Sequence, residues 1–178
     1  MMTIKNLKMK KYILNSVAIC LTAFLLLAFN SPQYDSRSKA KATTVKCLLQ
    51  LKNYSGKKPY VVVSIVDENE KYEQTLYMQG QDDEWYNTLK EWWAQLGKDG
   101  KENIDAISGA TINPGARAII AFEIPEDKIG NHYQLRFESA VEDQDYHKKD
   151  LEVALTKENL KRKFDGSGYI RYVRLIAN

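Results

Sequence analysis

The chain reads as a mainly β sandwich with one inserted amphipathic α-helix, preceded by an N-terminal membrane-targeting helix. Three patterns point there. Apolar residues alternate with period two over much of the sequence after Val45. One stripe of tryptophan and leucine repeats with the helical period. A lysine-flanked apolar run opens the chain. These patterns divide the sequence into a targeting segment (1–30), a linker (31–43) and a β-sandwich domain (44–178).

The opening segment comes first. Lys5, Lys8, Lys10 and Lys11 precede Tyr12 to Phe29, a run of 18 uncharged residues rich in Leu, Ala, Ile and Phe. The run is slightly long for a signal-peptide core and short for a spanning helix. No small-x-small cleavage site follows it, which favours an uncleaved anchor over a cleaved signal. The lysines hold the N-terminus in the cytoplasm and send the rest across the membrane. Cys20 sits mid-run behind bulky Ile19, a poor context for lipidation. Residues 30 to 43, rich in Ser, Lys, Ala and Thr, have little to pack and form the linker.

Charge excludes one class of function. The formal charge is +3, but setting aside those four of the 26 basic residues leaves 22 against 23 acids. A near-neutral body has no basic excess to hold a phosphate backbone, so nucleic-acid binding is not expected.

The strands follow in order. Cys47, Leu49 and Leu51 alternate; Tyr60 to Val66 is a continuous apolar run, as in a central strand. Tyr72 to Met78 follows the polar turn Asp67-Glu68-Asn69-Glu70. Ala118, Ile120, Phe122 and Ile124 alternate, as do Tyr133, Leu135, Phe137, Ser139 and Val141. Leu151, Val153 and Leu155 make a short strand, and Ile170 to Ala177 closes the chain. Seven short strands separated by turn signals suggest an immunoglobulin-like sandwich.

One segment departs from this period. Trp85, Leu89, Trp92, Trp93 and Leu96 fall on one face of an α-helix. Asp82, Asp83 and Glu84 suit its N-terminus, and Gly97 ends it. The stripe has two readings: packing against the sandwich, or Trp92 or Trp93 edging a ligand site, since indole stacks on flat rings.

The raw material for catalysis is thin. His132 and His147 are the only histidines, and no Cys or His pair has metal-ligand spacing, so no metal site is expected. No nucleophile-elbow sequence marks a hydrolase. Cys47 is the only cysteine after the targeting segment; it alternates with leucines as a core residue would, and no disulfide is available within the domain.

The run Asp105-Ala106-Ile107-Ser108-Gly109-Ala110-Thr111 carries the chemistry. The run resembles the acceptor motif for covalent flavinylation, Asp-x-x-Ser/Thr-Gly-Ala-Thr/Ser, and matches at every specified position. The resemblance implies FMN attached to Thr111 as a phosphodiester by a flavin transferase. Asp105, Ser108, Gly109 and Ala110 are the remaining cofactor-site residues. Asp105 and Ser108 are available to order the loop or to meet the transferase.

Residues 45 to 142 resemble a predicted periplasmic bacterial family, domain of unknown function 2271. The likeness rests on Thr75-Leu76-Tyr77 with Gly80, Leu89 with Trp92-Trp93, the Asp105 to Thr111 run with Pro114-Gly115, and Gly130, Tyr133 and Glu138. In place of the Asp-Gly-rich turn common in that family, this chain has Pro125-Glu126-Asp127-Lys128-Ile129-Gly130-Asn131. The resemblance implies an immunoglobulin-like fold, a periplasmic location anchored in or secreted across the inner membrane, and a membrane redox partner of the PepSY type. The expectation is an electron-carrying flavoprotein rather than a stand-alone enzyme. The alternative is an exported sandwich that binds a partner or builds the envelope without a cofactor.

Overall fold

The computed structural model describes residues 41–97, 104–130 and 132–177, without the side chains of residues 96, 97 and 105. The expected targeting segment, most of the linker and the polar loop before the Asp105 run lie outside the described residues. Among the described residues no helix is long and apolar enough to cross a membrane.

The described strands are β1 (Ala42–Leu51), β2 (Tyr60–Val66), β3 (Tyr72–Gln79), β4 (Ser108–Gly109), β5 (Arg117–Pro125), β6 (Gln134–Ala140), β7 (Tyr146–Ala154), β8 (Lys163–Asp165) and β9 (Ile170–Ala177). They form two sheets, one ordered β5-β1-β9-β8 and the other β4-β3-β2-β6-β7. All pairings are antiparallel except β3 with β4. The seven expected strands are present; β4 and β8 are additional. β7 begins at Tyr146, ahead of the Leu151 start that alternation suggested.

The sheets pack face to face through the alternating residues. Val45, Cys47 and Leu49 of β1, Ile120, Phe122 and Ile124 of β5, and Val173 and Leu175 of β9 meet Val61, Val63 and Ile65 of β2 and Leu135 and Phe137 of β6. Burial pushes the Cys47 thiol up to about 12, so it is a packed core group and not a nucleophile.

β2 is buried on both faces, which explains its unbroken apolar run. Its other face, with Tyr60, Val62 and Val66, joins Tyr72, Met78, Tyr86, Leu89, Trp92 and Ala140 in a second core. The tryptophan segment forms the roof of that core. It is not one continuous α-helix: a 3-10 turn (Asp83–Thr88), an α-turn (Lys90–Trp92) and a π-turn (Trp93–Gly97) follow each other. Leu89 between the first two has ψ 68°, outside helical values, and breaks the ladder there. The expected stripe still faces inward: Leu89 and Trp92 are fully buried, while Trp85 and Trp93 are half-buried.

Under this roof lies a polar cluster that the β6 alternation concealed. Glu138 is fully buried and accepts hydrogen bonds from the Tyr72 hydroxyl, the Tyr146 hydroxyl at 2.5 Å and the Trp92 backbone N–H. Arg136, equally buried, donates from Nε to Glu152 at 2.5 Å and lies over the Tyr72 ring. The roof is tied down by the same groups. The Glu91 backbone N–H donates to the Tyr146 hydroxyl at 3.1 Å, and Trp92 Nε1 donates to Thr75 Oγ1 at 2.8 Å.

Burial outweighs these donors and the nearby Arg136 charge and raises the Glu138 carboxyl from 4.5 to about 7. The folded protein therefore binds this proton more tightly than the unfolded chain. The stabilisation is complete below about pH 4.5 and is lost as pH rises through about 7, by roughly 3 kcal/mol in total. Urea unfolding at pH 5 and pH 8 measures it, and Glu138→Gln is expected to flatten that slope. Equal slopes in the two proteins would mean that another group titrates.

Candidate functional site

The Asp105–Thr111 run crosses the open side of the sandwich. Its first part is a 3-10 turn, Ile104–Ile107, which places Asp105 on the turn. Ser108 and Gly109 then pair with Met78 and Gln79 as the edge strand β4. The Gly80 N–H donates to the Gly109 carbonyl at 2.8 Å, and Gln79 Nε2 donates to the Ala110 carbonyl. Ala110 is exposed, Thr111 is half-buried, and Ile112 packs against the inner core. Asn113–Ala116 turns the chain into β5, with Gly115 N–H bonded to the Lys52 carbonyl at 2.8 Å. Thr111 is thus held between a paired edge strand and a core anchor, at the rim of the fold.

Gly109 of the run and Gly80 beside it have structural reasons. Gly80 has φ +133°, and a Cβ there would meet Tyr60 Cδ1 at 2.4 Å. At Gly109 a Cβ would stand 1.8 Å from the Tyr77 hydroxyl and 2.9 Å from its Cζ. Gly109 therefore has a reason within this chain: a side chain there would collide with Tyr77. Gly109→Ala is expected to cost about 1–3 kcal/mol through overpacking. In a thermal-denaturation cycle with Tyr77→Ala the two losses should add to less than their sum, because the larger residue is gone. Strict additivity would remove Tyr77 as the cause.

A cleft of about 410 Å³ opens beside the run, between the β3 and β5 edges. Tyr77, Ile107, Ser108 and Phe122 contribute to its lining. That volume is in the range of about 300–1,000 Å³ usual for small-molecule sites. Among the described residues Glu123 is its only charged lining residue. Burial raises the Tyr77 phenol above its ordinary pKa, so it stays neutral.

The other expected site residues lie elsewhere. Trp92 and Trp93 belong to the second core, and neither lines the cleft. Trp92 reaches the site only through Thr75, whose Oγ1 it bonds and which contributes to the cleft lining. Tyr77 and Phe122 were not singled out as site residues from the sequence; Tyr77 entered only through the family likeness and Phe122 only through alternation, and the cleft depends on β3 and β5 meeting in space. Among the described residues no group of three or more His, Cys, Asp or Glu is placed to hold a metal ion.

The run thus sets Thr111 half-buried at the rim, Gly109 closely packed against Tyr77, and a cleft of ligand size alongside. The model of a family described as "Predicted periplasmic protein (DUF2271)" matches residues 42–172, most of the chain. No curated protein and no solved structure matches it.

Proposed function

The chain belongs to the DUF2271 family of predicted periplasmic proteins, and from that premise we propose that it is an extracytoplasmic electron-transfer flavoprotein carrying FMN on Thr111. The observation that carries this reading is the complete Asp105–Thr111 acceptor run, set at a sheet edge with Thr111 at the rim. In the transfer, Thr111 Oγ forms a new bond to the FMN phosphorus of FAD. The pyrophosphate P–O bond breaks, AMP leaves, and the hydroxyl proton passes to a base of the transferase or to water. The attached flavin supplies the redox chemistry, relaying electrons from a membrane partner of the PepSY type to an acceptor; the chain's residues fix where the ring sits and what charge it feels. The N-terminal segment serves as a signal for export or, if uncleaved, as an anchor that keeps the domain beside that partner.

The pairing pattern supports an immunoglobulin-like reading of the fold. The β3-β2-β6-β7 order matches the C′-C-F-G sheet of such domains, and β1 with β5 matches B with E. The last strand, β9, then takes the place beside B that the first strand usually holds.

Co-expression with a flavin transferase tests the function. The intact protein should gain the mass of FMN less one water and fluoresce in a denaturing gel. Protein that gains nothing, while the same transferase modifies another substrate, is the exported binding or envelope module without cofactor.

A further inference from the structure

We propose that the cleft between the β3 and β5 edges is the resting site of the isoalloxazine ring borne by Thr111, with Tyr77 as the wall on which the ring stacks and Glu123 as the charge that sets its potential. This rests on the attachment reading above and adds the ring's location and the residues that tune it.

Reach is the first argument. Ser108 contributes to the cleft lining, and Thr111 lies three residues on, at most about 10 Å along extended chain. The phosphodiester and ribityl chain between Thr111 Oγ and the ring span eight bonds of about 1.5 Å, an extended reach of about 10 Å. The tether is therefore long enough to bring the ring back to Ser108.

Chemistry is the second. Leu76, Tyr77, Ile107 and Phe122 give the cleft apolar surface, and Gln74 and Ser108 supply polar atoms for the ring's heteroatom edge. A flat ring with one polar edge suits that lining better than a compact ion does. Offset stacking on a tyrosine favours the same ligand.

Shared construction is the third. The Tyr77 hydroxyl occupies the space a Cβ at Gly109 would need. The acceptor run and the cleft wall are thus fitted to each other, and the neutral phenol presents an uncharged surface to the ring. Glu123, the only charged lining residue among those described, opposes the negative charge that the ring gains on reduction.

The test uses the flavinylated full chain, with every optical reading normalised to the fraction of protein that intact mass shows to carry FMN. Wild type is expected to show flavin fluorescence quenched relative to the unfolded protein, with the anisotropy of the whole domain. Tyr77→Leu should restore fluorescence severalfold and lower the anisotropy. Glu123→Gln, at an exposed position, should fold as wild type and move the flavin midpoint potential upward in a reductive titration. A flavin that is fully attached yet as bright and mobile as in the unfolded protein overturns the cleft and leaves attachment standing. So does a potential unmoved by Glu123→Gln. If no FMN is attached, the attachment reading fails by itself, and free riboflavin titrated into the unmodified protein then decides the cleft: Tyr77-dependent quenching supports it, and no binding overturns it.

Discussion

Trp92→Ala is expected to lower the unfolding free energy by about 3–5 kcal/mol, the largest single-residue loss in the domain. Trp92 is fully buried and is the largest side chain so placed. Its ring meets Tyr86 edge-on at 5.9 Å and Trp93 at 6.2 Å, contacts that alanine cannot make. Its Nε1 satisfies Thr75 Oγ1, and its backbone N–H faces Glu138. Truncation would therefore leave a cavity and loosen the polar cluster below it. Trp93→Ala, at a half-buried position on the same core, should cost clearly less. Urea unfolding of both variants measures this. A loss below about 1 kcal/mol for Trp92→Ala would mean that the site collapses freely or that the segment does not roof this core.

The same residues show what the sequence makes legible and what it conceals. Period two located β1, β5 and β6 because each buries one set of alternate positions between the sheets. The tryptophan stripe was also legible, since a 3-10, α and π succession still carries Leu89 and Trp92 to one side. Its helix type was not, because the break at Leu89 is a backbone event that leaves the apolar spacing nearly intact. β4 and β8, at two and three residues, are too short to carry a period. The deepest concealment is on β6. Arg136 and Glu138 occupy the positions that alternation assigns to solvent, yet both are fully buried. The roof covers Glu138, and Tyr72, Glu70 and Glu152 surround Arg136; all but Glu152 are distant in sequence. One signal pointed the right way: three tryptophans on one stripe need a partner face, and β2, apolar on both faces, supplies it.

For the site, the acceptor run was legible as a string of residue types, but its setting was not. Nothing local predicts that Ser108 and Gly109 join a sheet edge in parallel with β3. The contact that excludes a side chain at Gly109 comes from Tyr77, more than thirty residues earlier. The cleft needs β5 as well, so neither its volume nor the place of Glu123 in its lining has a sequence signature. The motif thus names the proposed acceptor, and the tertiary structure supplies the cleft beside it.

Thr111→Ala is expected to abolish flavin attachment completely, the largest functional effect of any single change, while shifting stability by no more than about 0.5 kcal/mol. The two halves of that expectation have different causes. Attachment needs a hydroxyl at this position to take the phosphoryl group, and alanine has none. Stability is supplied by the neighbours: β4 pairs with β3 on one side, and Ile112 packs on the inner core on the other. The half-buried threonine between them contributes little. Thr111→Ser keeps a hydroxyl of similar reach and should retain part of the attachment. Ser108→Ala keeps the acceptor and should leave attachment measurable, which separates the two hydroxyls of the run. Asp105→Ala should slow attachment without unfolding the domain if the transferase reads that carboxylate. Intact mass and gel fluorescence after co-expression read all four variants, and thermal denaturation checks that each is folded. Flavin persisting on folded Thr111→Ala would move the attachment to another residue and with it the origin of the tether that the cleft argument measures from.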